Sequence, residues 1–427
     1  MPFIPMQEIL EGKCVDKKVK VRGWVYRKRE GKETIFLLLR DSSGVMQCTV
    51  KKESSAYADA KKIMIESSLS LEGTVKEDKR APGGYEVLTD KISIIGLAEP
   101  FPIAKDQSEE FLRDVRHLWL RSRRMNLIMK VRSQVLSFAD EYFRQQKFVE
   151  VSPPMFVTSA VEGGSTLFGL KYFDQNMYLT QSAQLYLEIL IYSLEKVYCV
   201  APSFRAEKSR TIRHLTEYWH IEAEQAFADM DDLMRLEEDL LTHVCKRTAG
   251  DCKSEFEELG ADLSKIASIK SPFPRVTYTD GIEKLRAKGF KTKWGEDLGY
   301  DEEKALAEEV GKPFFMYDYP TEIKAFYCKT YQDHPEIAMS TDMLVPRIGE
   351  ISTGGAREDD KDNLIAKIKK MGLKEEDYDW YVDLRRYGTV PHIGFGMGLE
   401  RLLAWMLDLE NVIDAIPFPR TTRRFRP

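Results

Sequence analysis

Between Phe204 and Glu222 the chain runs Phe204-Arg205-Ala206-Glu207 and, after a short basic stretch, Arg213-His214-Leu215-Thr216-Glu217-Tyr218-Trp219-His220-Ile221-Glu222. Arginines, histidines, aromatic rings and carboxylates fall close together. A guanidinium fork pairs a carboxylate or a phosphate with two parallel hydrogen bonds. An aromatic face stacks on a purine, and a carboxylate accepts from an amine. Near the C-terminus, Gly394-Phe395-Gly396-Met397-Gly398-Leu399-Glu400-Arg401 adds what reads as a glycine-rich turn and a further arginine. The mixture suits a site that holds a polyphosphate, a purine and a zwitterionic small molecule together.

Each group also has a plain structural reading. In a strand, Arg205 and Glu207 share a face because side chains alternate, so they can simply be a surface ion pair. Arg213 and His214 can belong to a solvated hairpin tip, and Tyr218 to a core. Tyr218 also lies on the face of Glu222 and could stack under a base. The glycines of 394–398 can serve a tight sheet–helix junction. Their G-x-G-x-G spacing is not the dinucleotide fingerprint, and no matching βαβ unit surrounds it. Asp342, Glu350, Thr353 and Arg357 around a Gly354-Gly355 turn are either an exposed acidic hairpin or hard oxygen ligands for magnesium beside phosphate.

These residues need a scaffold. The chain has 427 residues, beyond what one core usually organises, so two or three domains are expected. Residues 1–97 read as β: Val19, Val21 and Val25 alternate with polar residues, then come Ile35–Leu39, Val45–Val50, Leu69–Val75 and Tyr85–Ile95. Five short strands with glycine-rich turns fit a five-stranded OB barrel. Residues 98–122, with Pro100 and Pro102, read as a linker. From 123 onward, Val131, Val135, Phe138 and Tyr142 form one helical stripe. Short strands (Phe148–Val151, Tyr178–Thr180, Val197–Val200, Phe204–Arg205, Trp219–Glu222, Phe314–Tyr317, Ala325–Lys329) mix with helices over Ala183–Ser193, Met230–Arg247 and Leu399–Leu407. The expected class is α+β, with a largely antiparallel sheet flanked by helices. Residues 251–269 read as a charged insertion.

Composition narrows the function. No apolar run approaches 18 residues and no basic leader precedes one, so no membrane span or signal peptide is expected. Six scattered cysteines without a C-x-x-C pair fit a reducing cytoplasm rather than a disulfide or zinc framework. The net charge is −5, yet residues 1–100 carry 18 Lys and Arg against 15 Asp and Glu. That small excess alone decides nothing about nucleic acid.

The ordered set resembles the class II aminoacyl-tRNA synthetases of the aspartyl, asparaginyl and lysyl branch. Phe148 to Phe156 resembles the first class motif, with Pro154 as the proline at a homodimer interface. Phe204 to Glu222 resembles the second and Gly394 to Arg401 the third. The β-rich start resembles the branch's OB-fold anticodon-binding domain (1–97), followed by a hinge (98–122) and the catalytic domain (123–427). The resemblance implies that Arg205 and Arg401 are catalytic. It also implies that ATP is lined by Arg205, Ala206, Glu207, Arg213, His214, Leu215, Tyr218, Glu350, Gly398, Leu399, Glu400 and Arg401. Magnesium would be held by Glu350 and Thr353, with Asp342 a further candidate. The amino acid would meet Glu162, Gln184, Leu187, Arg205, Glu222 and Arg357. Anticodon contacts would come from Arg27, Arg29, Phe36 and Gln47.

Within the branch, aspartyl enzymes resemble Gln-Leu-Tyr-Lys where this chain has Gln184-Leu185-Tyr186-Leu187, and they place an aspartate at the position of Glu222. A carboxylate substrate facing Glu222 without that lysine would be poorly compensated. Together with Asp383-Leu384-Arg385-Arg386-Tyr387-Gly388, the strings look like the archaeal and eukaryotic asparaginyl-tRNA synthetases. That resemblance implies L-asparagine, ATP and tRNA(Asn) as substrates in the cytoplasm. An aspartyl enzyme, non-discriminating or not, an AMP-forming asparagine synthetase, and a non-catalytic tRNA-binding or regulatory paralogue remain the alternatives.

Overall fold

The computed structural model describes every residue except 162–165 and 209–211. The chain divides into two compact units, Met1–Glu109 and Glu110–Pro427. In the first, strands β1 (Lys18–Glu30), β2 (Thr34–Arg40), β3 (Val45–Lys51), β4 (Ser68–Glu77) and β5 (Tyr85–Gly96) close a barrel in the order β1-β2-β3-β5-β4. Alternation drives it. Val19, Val21, Ile35, Leu37, Leu39, Met46, Cys48 and Leu71 point inward and are fully or almost fully buried. Each large apolar side chain so buried stabilises by roughly 1.5–3 kcal/mol. The barrel also needs close backbone approach at Gly73, where a Cβ would lie 2.2 Å from the Leu88 carbonyl oxygen.

The second unit is built on an eight-stranded sheet. Its members are β6 (Val149–Glu150), β10 (Lys196–Phe204), β11 (Glu217–Ala226), β12 (Arg275–Thr277), β13 (Phe314–Pro320), β14 (Ile337–Val345), β15 (Gly349–Ala356) and β16 (His392–Gly398). The remaining strands, β7 (Phe156–Val157), β8 (Gly169–Tyr172) and β9 (Gln175–Leu179), form a small separate sheet. The large sheet runs β12-β13-β14-β15-β16-β11-β10-β6. It is antiparallel through its centre and parallel only in the two edge pairings. Helices pack against it. The helix Arg123–Gln145 starts at Ser122, whose hydroxyl accepts from Met125 N, and buries the expected stripe of Val131, Val135, Phe138 and Tyr142. The helix Met230–Asp251 starts at a capping box on Asp229.

Several local expectations give way. The 394–398 segment is not a turn but the strand β16, and Gly354-Gly355 lies inside β15. Both are extended because they sit between paired strands in the middle of the sheet. Arg205 lies one residue past the end of β10. The stretch Ala325–Lys329 is not a strand; there Cys328 makes only an isolated bridge, to Arg357. Residues 98–122 are helical from Glu109 onward. Arg116 is fully buried, bonding Asp414 and the carbonyls of Ile413, Ile416 and Pro417. The charged 251–269 region forms two short helices, Lys253–Leu259 and Leu263–Ala267, that bury Phe256 and Ile266.

Candidate active site

The cleft is laid out by the register of the large sheet. Across it, Asp342, Thr353, Gly396 and Glu222 are successive cross-strand partners, and Ser340, Gly355, Gly394 and Glu224 form the next such row. Tyr218, His220, Glu222 and Glu224 share one face of β11, as period two requires. The glycines of β16 make room for these side chains. A Cβ on Gly394 would fall 2.0 Å from the Glu224 carboxylate. The result is a continuous cleft, one end of which is lined by residues of the second and third motifs.

At that end the structure brings together Arg205, Glu207, Arg213, His214, Leu215, Tyr218, Glu350, Gly398, Glu400 and Arg401. Arg401 donates to the Glu350 carboxylate at 2.8 Å and to its carbonyl at 3.1 Å. Arg213 is held by both oxygens of Glu303, which also accepts from Glu350 N at 2.8 Å. The Arg205 guanidinium lies 5.7 Å from the centre of the Tyr218 ring, and His220 meets that ring edge-on. Burial would raise the Glu350 carboxyl, but Arg401, Arg213, Arg205 and Lys324 outweigh it and hold it at about 2. Burial, together with Arg401, lowers His214 to about 4. Burial, then Arg205 and Arg401, lowers His220 to about 3.

Two residues expected around ATP lie elsewhere, and a third is already engaged. Leu399 is fully buried in the core and is absent from the cleft lining. Glu400 reaches the cleft, but its carboxylate is taken by Arg132 at 2.6 Å and Trp219 N at 2.9 Å, so it braces the wall. Ala206 lines a neighbouring groove instead.

The deeper end holds Gln184, Glu222, Glu224, Tyr327, Thr353 and Arg357. Glu222 and Arg357, both expected at the amino acid, line this end and make different partners. Glu222 receives the Ser182 hydroxyl and Ala183 N, at the start of the helix Gln184–Leu194. Glu224 is the carboxylate that meets Arg357, with NH2···Oε1 at 2.5 Å and Nε···Oε1 at 3.1 Å. Behind them, fully buried Glu188 accepts from Gln184 (3.0 Å), Tyr381 (2.6 Å) and Arg385 (2.8 Å), with His392 at 3.0 Å. Arg357 lies 3.9 Å from the same carboxylate. Burial raises Glu224 to about 7 against the pull of Arg357. Burial likewise opposes ionisation of Glu188, but Arg385 and His392 win and hold its carboxyl well below the usual range.

Leu187 is not part of this end. It is fully buried among Ala183, Ile191, Val197, Cys199 and Ala226, because helical spacing turns Glu188, not Leu187, toward the cleft side. Asp342 lines the cleft but is bonded by Lys324 at 3.1 Å. Glu162 lies outside the described residues. Glu224, Glu188, Tyr381, Arg385, His392 and Lys324 escaped the sequence reading. Glu224 carried a signal, standing two residues beyond Glu222 on the same strand face, and Arg385 stood within the quoted 383–388 string without an assigned role.

On the barrel, Arg27 and Arg29 are exposed on β1, Arg29 pairs across to Phe36, and Gln47 lies opposite Leu38 beside Arg27. The four side chains therefore share the outer face. The Arg29 guanidinium sits 4.9 Å from the Phe36 ring centre, and Gln47 donates to Glu86 at 3.0 Å.

This fold and cleft define a ligase that activates a carboxylate with ATP, and residues 108–422 match the family of tRNA synthetases class II (D, K and N). The chain belongs to that family. Residues 19–95 match the OB-fold nucleic acid binding domain. The chain is 53% identical over 414 residues, 96% of each chain, to the asparagine–tRNA ligase of Thermococcus gammatolerans. It is 45% identical over the whole of both chains to that of Thermoplasma acidophilum. The crystal structure of asparaginyl-tRNA synthetase from Pyrococcus horikoshii complexed with asparaginyl-adenylate superposes with a TM-score of 0.97 at 47% identity, covering all of both chains. An aspartyl-tRNA synthetase from Entamoeba histolytica superposes at 0.85 with 25% identity, covering all of this chain and 93% of that one.

Proposed function

We propose that this chain ligates L-asparagine to tRNA(Asn) through an asparaginyl-adenylate. The observation that carries this is the paired Glu224 and Arg357 at the closed end of an arginine-lined nucleotide cleft. A side-chain amide is satisfied there at both ends, its NH2 donating to Glu224 and its oxygen accepting from Arg357. Aspartate would bring a second carboxylate against Glu224 in a buried site, a poorly compensated charge.

The asparagine carboxylate oxygen attacks the α-phosphorus of ATP. The bond from that phosphorus to the bridging oxygen breaks, and pyrophosphate leaves. A ribose hydroxyl of the terminal tRNA adenosine then attacks the acyl carbon; the acyl–phosphate bond breaks, AMP leaves and the hydroxyl proton is released. Arg205 and Arg401 stabilise charge on the transferring phosphorus and the leaving group, and Tyr218 stacks on the adenine. No protein nucleophile is required, so rate comes from positioning and charge stabilisation. Glu350, held ionised, and the Thr353 hydroxyl are hard oxygen donors suited to magnesium shared with phosphates, whereas Asp342 is already engaged by Lys324. Bound there, magnesium would neutralise charge on the phosphates.

Phe36 offers a face for a loop base, and the Gln47 carbonyl can accept from its edge. Phe36→Ala should lower tRNA charging by about tenfold or more while leaving adenylate formation intact. A homodimer is supported by the exposed apolar run around Pro154, with Val149 42%, Met155 50% and Phe156 46% exposed. The deciding experiment is ATP–pyrophosphate exchange and tRNA charging with asparagine and with aspartate. Exchange with aspartate alone would replace this reading by the aspartyl one, and exchange with neither would leave a non-catalytic relative.

A further inference from the structure

Beside the nucleotide end of the cleft, and sharing Glu207 with it, lies a separate open groove. One wall carries Phe168 and Lys208; the other is the C-terminal segment, with Arg420, Thr421, Thr422 and Phe425. That segment is strongly basic, since Arg420, Arg423, Arg424 and Arg426 fall within its last eight residues without an acidic residue. It is also pinned in place. The Arg420 carbonyl accepts from Thr216 N at 2.9 Å, and Arg420 bridges Glu217 at the start of β11. Thr421 closes a turn, its N donating to the Arg424 carbonyl at 3.0 Å and its hydroxyl accepting from Arg424 N at 3.1 Å. Arg424 is tied to Glu110 and Asp114 of the helix Glu109–Asp114.

The anchoring leaves other groups outward. Among the described residues, Lys208 and Arg420 pair with no carboxylate, while Phe425 is 73% and Phe168 36% exposed. Two open rings and two cations without carboxylate partners thus line one groove on a fixed backbone. The rings suit unstacked bases, and the cations suit the phosphates between them. The groove opens into the cleft at Glu207, where the adenylate would form, so a strand lying in it would deliver its end to the reacting carbonyl.

We propose that the C-terminal segment Arg420–Phe425, with Phe168 and Lys208, forms the entry groove that holds the single-stranded 3′ end of the tRNA. This rests on the ligase reading above. Phe425 and Phe168 stack on the unpaired bases, and Arg420 and Lys208 neutralise the phosphates that link them. These are tRNA-positioning residues, with no part in making the adenylate.

The test uses the full chain with Phe425→Ala, Arg420→Ala and the double variant. Each is measured for asparagine-dependent pyrophosphate exchange and for charging of tRNA(Asn). The expected result is unchanged exchange with KM for tRNA raised about tenfold in each single variant and more in the double. Arg420→Ala should also flatten the salt dependence of tRNA binding by about 0.7 in the log–log slope, as loss of one single-strand phosphate contact requires, whereas Phe425→Ala should leave that slope unchanged. Competition by an acceptor-stem minihelix with its 3′ overhang, but not by the blunt-ended stem, supports the assignment. Exchange intact with unchanged tRNA KM in the double variant overturns it, as does equal competition by the blunt stem. Absence of asparagine-dependent exchange in the unsubstituted protein would instead sink the ligase reading itself.

Discussion

At the nucleotide end of the cleft, Arg205, Arg213 and Arg401 gather around Glu350 and drive its carboxyl down to about 2. At the amino-acid end, Glu224 sits against a single arginine, Arg357, with Glu188 close behind, and its carboxyl rises to about 7. Both carboxylates lie in one cleft, and burial opposes the charge of both; the number of cations facing each decides the sign. The difference matches the ligands. A triphosphate needs a cationic potential already in place, which costs no reorganisation when charge develops. A neutral amide needs one acceptor and one donor held in balance, and any surplus charge there would admit the wrong substrate.

The comparison breaks first at Arg205. Arg205→Ala should reduce pyrophosphate exchange by about a thousandfold or more, because a charge-stabilising donor acts mainly in the transition state. At the other end, Glu224→Gln keeps the shape and removes the charge. It should lower kcat/KM for asparagine by about a hundredfold, with KM for ATP within about twofold of the parent. If Glu224→Gln instead raised the KM for ATP and spared asparagine, the division of the cleft into two ends would be wrong.

A third substitution separates position in sequence from position in space. Leu187 occupies the place where aspartyl enzymes resemble a lysine, yet here it is fully buried among Ile191, Val197 and Cys199. Leu187→Lys should therefore act on stability, costing about 3 kcal/mol or more in denaturant unfolding, rather than exchange asparagine for aspartate. Aspartate activation in a folded Leu187→Lys protein would show that this helix turns its side chains differently from the present arrangement.

The two ends were also unequally legible. The nucleotide end is made largely by one hairpin and the step from β16 into the helix Leu399–Met406, so Arg205, Glu207, Arg213, His214, Tyr218 and Arg401 stand in two short strings. The barrel announced itself through strict alternation. The amino-acid end is assembled from Gln184, Glu188, Glu224, Arg357, Arg385 and His392, spread over some 200 positions, and no local spacing reveals which carboxylate meets which arginine. Glu222, expected at the amino acid, does line this end, and Glu224 stands beside it there. Both occupy the same strand face, and only the start of the helix Gln184–Leu194, which claims Glu222, distinguishes them. The glycines of β16 misread as a turn for a related reason. Their use is to clear space opposite a carboxylate, which is a property of the neighbouring strand.

The smallest expected effect is the one that tests the opposed shifts directly. On the proposed contact, Glu224 must be ionised to accept from the asparagine NH2, and a carboxyl raised to about 7 is mostly protonated below that pH and ionised above it. At saturating nucleotide, kcat/KM for asparagine should therefore climb up to about tenfold between roughly pH 6 and 8 and then level off. Three groups at the nucleotide end keep one state across that window. Glu350 at about 2 stays ionised, and His214 at about 4 and His220 at about 3 stay neutral across that window. Among the groups facing Glu224, Arg357 and Arg385 are shifted further upward by their carboxylate and tyrosine partners despite burial, and Glu188 is held ionised; His392, bonded to Glu188, faces it as well, and the substitution of Glu224 separates the two. The Glu224→Gln protein should thus show a flat asparagine profile over the same range at its lower level. A profile of unchanged shape in that variant would assign the titration to another group and remove Glu224 from contact with the amide.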